Sequence, residues 1–456
     1  FLPFYIRSGA FTMPEFLEKR FDSRSRWFLS LFSLVAYVLT KVSVTIYAGG
    51  IVVSELLAIP FWYGAIGIVI FTGIYTVIGG MKAVIYTETL QTVVLILGSV
   101  IITYLGLQEV GGWSELRATV TAVSPDHFNM WRPMSDPQFP WTGLLIGGTI
   151  VGIWYWCTDQ YIVQRTLAAN NIKIGRRGAI FGAYLKLLPI LIFLVPGIIA
   201  FALSIQNPEV FSVDKADRAF PMLVKTLLPV GLKGLVAGGL MAALMSSLAS
   251  VFNSCSTIFT IDIYKKLKPE KSEASLLVTA KIATGFIVIL GIIWIPIMEK
   301  IGGGVMYQYL QNVQSYIAPP VTAVFLLGII WKRVNSKAAI TTLMSGFLLL
   351  ALRLGSEIYF QPQIAKNEVV SHVLYDFAII NFSHMAIFMF VFSVILCVTI
   401  SLLTTAPDYK TIVGLSFGTL TEDQKQAHRD SYDRIDVLLS VILVFLVVGI
   451  LCYFTG

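Results

Sequence analysis

Apolar runs of about 20 residues or more recur from one end of this chain to the other. An α-helix needs about that length to cross a hydrocarbon layer some 30 Å thick. Backbone inside lipid must satisfy its own hydrogen bonds, so runs of this kind become helices. A transmembrane barrel would alternate apolar and polar residues along each strand instead. The runs cover approximately 28–56, 61–80, 84–107, 141–166, 178–204, 232–263, 276–298, 306–331, 336–355, 383–404 and 434–454. Residues 1–7 are a further apolar remnant, read as the end of a helix with at least one more helix upstream. The fold class is an all-α polytopic membrane protein. Only 13% of the chain is charged, about half of what a soluble chain carries. That excludes a soluble multi-domain enzyme, a disordered protein and a secreted disulfide scaffold.

The net charge of +7 would suggest nucleic acid in a soluble protein. Here the bases fall in short loops between the runs. With 8–27 inside the cell, the inside loops are 8–27, 81–83, 167–177, 264–275, 332–335 and 405–433, which with their flanks hold 21 of the 33 Lys and Arg; the outside loops hold 9. This bias follows the positive-inside rule and places the C-terminus outside. The longer loops, 108–140 and 205–231, fall outside. The polar segment 405–433 reads as a mobile cytoplasmic linker. Gly302, Gly303 and Gly304 mark a turn, and Pro319 and Pro320 interrupt the span after it. Cys157, Cys255, Cys397 and Cys452 all lie within apolar runs and read as small hydrophobes, with neither a disulfide set nor metal-ligand spacing. No P-loop or nucleotide motif supports ATP-driven transport.

Polar groups within the runs are the informative ones, because hydrocarbon penalises them. Lys186 lies nine residues past Arg177, about 13 Å along a helix and too deep to snorkel easily. It suits donation to hydroxyls of a neutral polar solute, or alternatively pairing with backbone carbonyls. Lys41 is also intramembrane, has no evident partner, and reads as structural; Asp159 reads as a structural hydrogen-bonding acid. Ala243, Ser246, Ser247 and Ser250 recur at helical spacing on one face. Their hydroxyls and any free carbonyls suit a small hard cation such as Na⁺, although small and Ser/Thr residues also line ordinary helix contacts. Glu88, just inside a span, suits either a departing cation or a helix N-terminus. Tyr155 and Trp156, near mid-span, suit stacking on a sugar ring or aromatic packing, and Gly147, Gly148 and Gly152 before them allow the helix to unwind. Gln311 offers donors and an acceptor for hydroxyls, or interhelical bonding. His384 stands near a span start and forms no carboxylate relay, which favours Na⁺ over H⁺ as the driver.

Five stretches, in order along the chain, resemble the sodium/solute symporter family and its sodium/glucose cotransporter group. They are TMPEFLEKRF from Thr12, AVIYTETLQ from Ala83, WYWCTDQYIVQR from Trp154, ALMSSLASVFNSCSTIFTIDIY from Ala243 and PPVTAVFLLGIIWKR from Pro319. The resemblance implies a LeuT-like core of two inverted five-helix repeats with broken first helices and a midplane site. On this view residues 1–355 are the core, entered at the end of core helix 2. Residues 356–456 are then peripheral helices with the linker at about 405–433. Core helix 1 and its site residues lie outside this sequence. By motif match, Ala243 (through its carbonyl), Ser246 and Ser247 fall on the main Na⁺ site. Tyr155, Trp156, Lys186 and Gln311 fall on the sugar site, Tyr307 on an aromatic outer gate, and Glu88 and Ser250 on a second or exit Na⁺ site. Two positions depart from the pattern. Glu88 stands where the family usually has Asp, and Gly152 where some members have Asn or Thr.

The expectation is a Na⁺-coupled symporter of a neutral sugar, glucose or galactose, with myo-inositol or another small solute of the family as the alternative. Na⁺ is the coupling ion, the cell membrane the location, and neither nucleic acid nor an obligatory protein partner is implied. A channel would show a repeated filter or rings of charge, and a membrane enzyme paired carboxylates or metal ligands in mid-span.

Overall fold

The computed structural model describes residues 1–212, 215–301, 305–366 and 368–455, and the side chains of all of these but 75, 77–85, 87 and 298–301. The turn expected at Gly302, Gly303 and Gly304 therefore lies outside the described residues. The chain opens with α1 (Leu2–Ser8), α2 (Met13–Arg20) and α3 (Ser23–Tyr37), the last passing through a wide π turn into α4 (Ser43–Leu57). Next come α5 (Phe61–Val110) and α6 (Trp113–Val123). A broken span follows: a π turn at Gly143–Gly147, α7 (Gly148–Ile153), a second π turn at Trp154–Thr158 and α8 (Gln160–Leu167). α9 (Ile172–Leu185) and α10 (Val195–Gln206) form one span, and α11 (Ala219–Leu227) lies in the following loop. α12 (Val230–Thr257) continues through a π turn at Ile258–Tyr264 into α13 (Lys265–Leu267). The rest comprises α14 (Glu273–Ile301), α15 (Met306–Ile330), α16 (Ser336–Ala365), α17 (Val373–Ile379), α18 (Phe382–Leu403), α19 (Tyr409–Ile412), α20 (Glu422–Asp430) and α21 (Arg434–Tyr453).

Among the described residues, nine helices are long and apolar enough to cross a membrane, and Phe61–Ile74 and Gly143–Thr158 are shorter apolar helices. Together they account for every apolar run from 28 onward. Starts are capped where the sequence supplies an acceptor: Asp22 on α3, Asn171 on α9, Asn335 on α16 and Asp433 on α21. Each cap satisfies a backbone N–H that would otherwise lack a partner. The main core is formed by α1 to α4 with α12, α15 and α16, around Tyr5, Phe16, Phe252, Tyr316 and Phe325. A second, outer cluster joins the end of α5 to α6, α10 and α11. α15 is central, with 83% of its apolar stretch buried, whereas α21 has 6% of its own covered by the rest of the chain.

Five expectations change. No loop interrupts α5 at 81–83; Gly79-Gly80-Met81-Lys82 contains neither a proline nor a capping side chain that would force a helix end. Pro319 and Pro320 do not interrupt α15. Both are buried among neighbouring helices, the setting in which a membrane helix tolerates proline. The boundary drawn at 355 falls within α16, which continues to Ala365, and α18 packs along α15 and α16. The broken span opens at Asp159, beyond the aromatic pair, instead of at Gly147, Gly148 and Gly152. Finally, 405–433 is docked. Ser416 Oγ donates to the carbonyls of Gly328 and Ile329, the Phe417 N–H bonds Ile329 O at 2.7 Å, and the Phe417 ring meets Phe4 edge-on at 4.9 Å.

Candidate functional site

Asp159 creates the break that shapes the site. Its backbone is extended (φ −83°, ψ 121°), and its carboxylate accepts the Tyr161 N–H that opens α8. The preceding π turn carries Tyr155 and Trp156, whose rings meet edge to face at 5.4 Å. Wide turns of this kind concentrate at functional positions. Both rings line a cavity of about 400 Å³, a size typical of small-molecule sites. Lys186, Tyr307 and Gln311 line it too, so the side chains expected to hold solute and the expected gate converge on one space. Lys186 stands at the C-terminal end of α9, and its Nζ lies 5.8 Å from the centre of the Trp156 ring, within cation–π reach. Tyr307 and Gln311 stand one turn apart on α15. Gln314 and Ser315 continue the polar lining along the same helix; their place on the helical repeat of Tyr307 and Gln311 was the sequence signal for them.

Behind the aromatic pair lies a buried ion pair. Lys41 Nζ bonds Asp159 Oδ2, and Tyr37 donates its hydroxyl to Asp159 Oδ1 at 2.5 Å. The rings of Tyr37, Trp154, Tyr155 and Tyr161 surround the ammonium at 4.4 to 5.5 Å from their centres. Both structural readings hold, and the two residues prove to be each other's partner. Tyr155 is thereby backed on one side by charge while its other neighbours open onto the cavity.

The expected Na⁺ ligands divide between two adjacent rows on α12. Residues four apart lie nearly in line on a helix, so Ala243 pairs with Ser247 and Ser246 with Ser250. Ala243 and Ser247 line a second cavity, of about 310 Å³. Asp217 lines the same cavity and accepts the Met306 N–H at the start of α15 at 3.1 Å. Burial pushes its carboxyl above the ordinary range, against the opposing effects of that hydrogen bond and of Lys215. Ser246 and Ser250 instead turn to Glu88, donating to its Oε1 at 2.7 and 2.9 Å. Arg165 Nη2 joins them, 2.7 Å from the same oxygen and 2.7 Å from Ser250 Oγ. Arg165 stands at the polar end of its run, which is why the sequence reads it as one more inside base. His384 meets Thr142 at 2.9 Å and has no carboxylate beside it among the described residues.

Residues 1–346 match the family model described as the sodium:solute symporter family. Sodium/glucose cotransporter 4 of Mus musculus is 37% identical over 438 residues, covering 90% of this chain and 64% of its own length. The sodium/myo-inositol cotransporter of Homo sapiens is 37% identical over 453 residues, covering 91% and 63%. The chain thus spans a little under two thirds of the length of these curated relatives. A solved structure of a Na⁺-coupled sialic acid symporter, substrate-bound and outward-open and revealing a novel Na⁺ site, superposes with a TM-score of 0.69 at 25% identity. It covers 90% of this chain and 80% of that one. The chain has the LeuT-like fold.

Proposed function

This chain belongs to the sodium:solute symporter family, and from that premise we propose that it carries a neutral sugar, a hexose such as glucose or galactose, across the cell membrane together with Na⁺. The observation that carries the reading is the convergence of Tyr155, Trp156, Lys186 and Gln311 on one cavity, with Tyr307 at its wall. A sugar ring needs an aromatic face to stack on and donors and acceptors at its rim, and that lining supplies both. Na⁺ is held by the Ala243 carbonyl with Ser247 and with Ser246, whose hydroxyl turns to the ion from Glu88 Oε1, and Glu88 with Ser250 forms the second or exit position. Ion binding favours an outward-open state in which the solute residues are ordered. Solute then favours closure beneath Tyr307, and inward opening releases both. Each ligand must raise the affinity for the other, or transport is uncoupled. No covalent step occurs, so the protein is a carrier and not an enzyme. The C-terminus faces outward on the loop-charge bias. The alternative solute is myo-inositol, which presents hydroxyls around a ring in the same way and is carried by a relative of equal identity.

Labelled-glucose uptake into proteoliposomes holding the full-length protein tests this, with and without an inward Na⁺ gradient and with galactose and myo-inositol as competitors. The expected result is Na⁺-driven accumulation. Ser247→Ala loses the Na⁺ dependence, and Lys186→Ala lowers uptake by at least tenfold while leaving Na⁺ binding intact. Na⁺ binding with no accumulation of any of the three would sink the sugar reading and leave the family standing.

A further inference from the structure

Three segments that the loop charges place inside meet at a basic cluster: the end of α1, the start of α9, and α20. They contribute Arg7, Arg176 and His428. The Arg176 guanidinium lies over the Tyr432 ring, 5.1 Å from its centre, and the His428 ring stands 6.0 Å from the same ring. Arg7 comes from α1, which packs on α9. Burial first, and then the guanidiniums of Arg176 and Arg7, lower the His428 imidazole below its ordinary 6.5. Arg7 Nε and Nη1, Arg176 Nη1 and His428 Nδ1 are buried and have no hydrogen-bond partner among the described residues. Buried guanidinium N–H groups without an acceptor are costly. The nearby acids do not supply one, because Asp433 and Asp436 are taken by Arg177 and Lys173. Bases that only follow the positive-inside rule can face water, as the exposed Arg429 does. From Arg176 and Tyr432 a groove of about 580 Å³ runs between α9 and α21, walled by Ala179, Ile180, Val441, Val444 and Phe445. The two helices run side by side there, joined by Arg177 to Asp436 and by the Tyr184 hydroxyl to the Leu439 carbonyl.

We propose that this is a binding site for an anionic phospholipid, with Arg7, Arg176 and His428 on its phosphate and an acyl chain in the groove between α9 and α21. Guanidinium N–H groups match phosphate oxygens in geometry and charge, and one phosphate supplies acceptors to all three side chains. The groove answers the other half of such a molecule, which a soluble phosphate lacks. Anionic lipids are concentrated in the cytoplasmic leaflet, and basic pockets between helices on that side take their headgroups. The site is separate from the solute cavity and holds whichever solute is carried. α9 ends at Lys186, on the wall of that cavity, so the lipid braces one end of a helix whose other end meets the solute.

The test is binding of phosphatidylglycerol to the delipidated full-length protein, read by native mass spectrometry and by melting temperature. Phosphatidylcholine and inorganic phosphate are the other probes. The expected result is one phosphatidylglycerol per chain, held about tenfold or more tighter than phosphatidylcholine, with a raised melting temperature. Arg7→Gln with Arg176→Gln weakens that binding by about tenfold or more, since charge-assisted bonds are lost. Arg429→Gln leaves it unchanged. Unchanged binding in the double arginine variant overturns the proposal. An equal loss in Arg429→Gln also overturns it, by reducing the effect to surface charge. So does inorganic phosphate that stabilises the protein as strongly as the lipid and through the same arginines, because the ligand is then a soluble one. Should the arginine variant fail to fold, Val444→Trp decides, placed on the exposed face of α21 where it fills the groove. Loss of the lipid supports the proposal, and full retention overturns it. A wild type that binds no phosphatidylglycerol has the groove covered by another part of the full-length chain, and the proposal falls.

Discussion

Two lysines stand at membrane depth for opposite reasons. Lys186 touches only the Trp156 ring at a described distance, so its removal strands no buried partner. Lys41 is locked between Asp159 and four aromatic rings, and both members of that pair are buried. Removing one member of a buried pair leaves an uncompensated charge and costs about 3–5 kcal/mol. Lys41→Met is therefore expected to be strongly destabilising, and Lys41→Met with Asp159→Asn clearly less so, because the second change removes the stranded charge. Thermal unfolding of the purified variants in detergent reads the difference. Equal melting of wild type and Lys41→Met would show that the pair carries no weight. A melting loss as large in the double variant as in the single one would assign the effect to packing.

At the scale of elements, α15 and α16 meet closely in the core. A Cβ built on Gly346 would fall 2.3 Å from Pro320 Cβ, and the proline ring cannot swing away, whereas Gly355 on the same helix has nothing within 4 Å. Overpacking costs about 1–3 kcal/mol, while replacing a helical glycine by alanine gains about 1 kcal/mol. Gly346→Ala should thus lower the melting temperature and Gly355→Ala leave it unchanged or raise it; equal behaviour of the two would remove the close contact as a reason for that glycine. The same pair of helices shows what sequence could and could not tell. Each span was legible because lipid demands length and apolarity from every crossing segment. Tyr155, Trp156, Lys186 and Gln311 were legible as candidates because each is polar or aromatic where hydrocarbon disfavours it, and Tyr307 only through the family resemblance. Pro319 and Pro320 misled because a proline breaks a helix only where nothing else satisfies the freed carbonyls, and burial supplies that from neighbours far along the chain. Arg165 was hidden for a related reason. An arginine at the end of an apolar run looks interfacial until the carboxylate that claims it, 77 residues away, is placed beside it.

At the scale of the whole molecule, an ionic cluster ties the first stretch of chain to the end of α12. Arg26 bridges Asp262 and Glu18 at 2.6 and 2.5 Å, Lys266 reaches Glu18 at 2.8 Å, and the Thr12 hydroxyl donates to Asp262 at 2.8 Å. α2, α3 and the π turn after α12 are held together there, on the side that the loop charges place inside. Partial burial alone would raise the Glu18 carboxyl, but the hydrogen bonds from Lys266 and Arg26 outweigh it and hold the group below its ordinary 4.5. A depressed folded value means that the stabilisation is fully present above the unfolded value and is lost as pH falls through the folded one. The contribution is about 1 kcal/mol, the upper end for a partly exposed pair. The stability difference between wild type and Glu18→Gln should accordingly be constant from neutral pH down to about 5.5 and shrink once the pH drops below 4.5. Denaturant melts of both proteins across that range measure it directly. A difference that grew on acidification would mean that Glu18 is held protonated in the fold, and the cluster would then be joined through Asp262 alone.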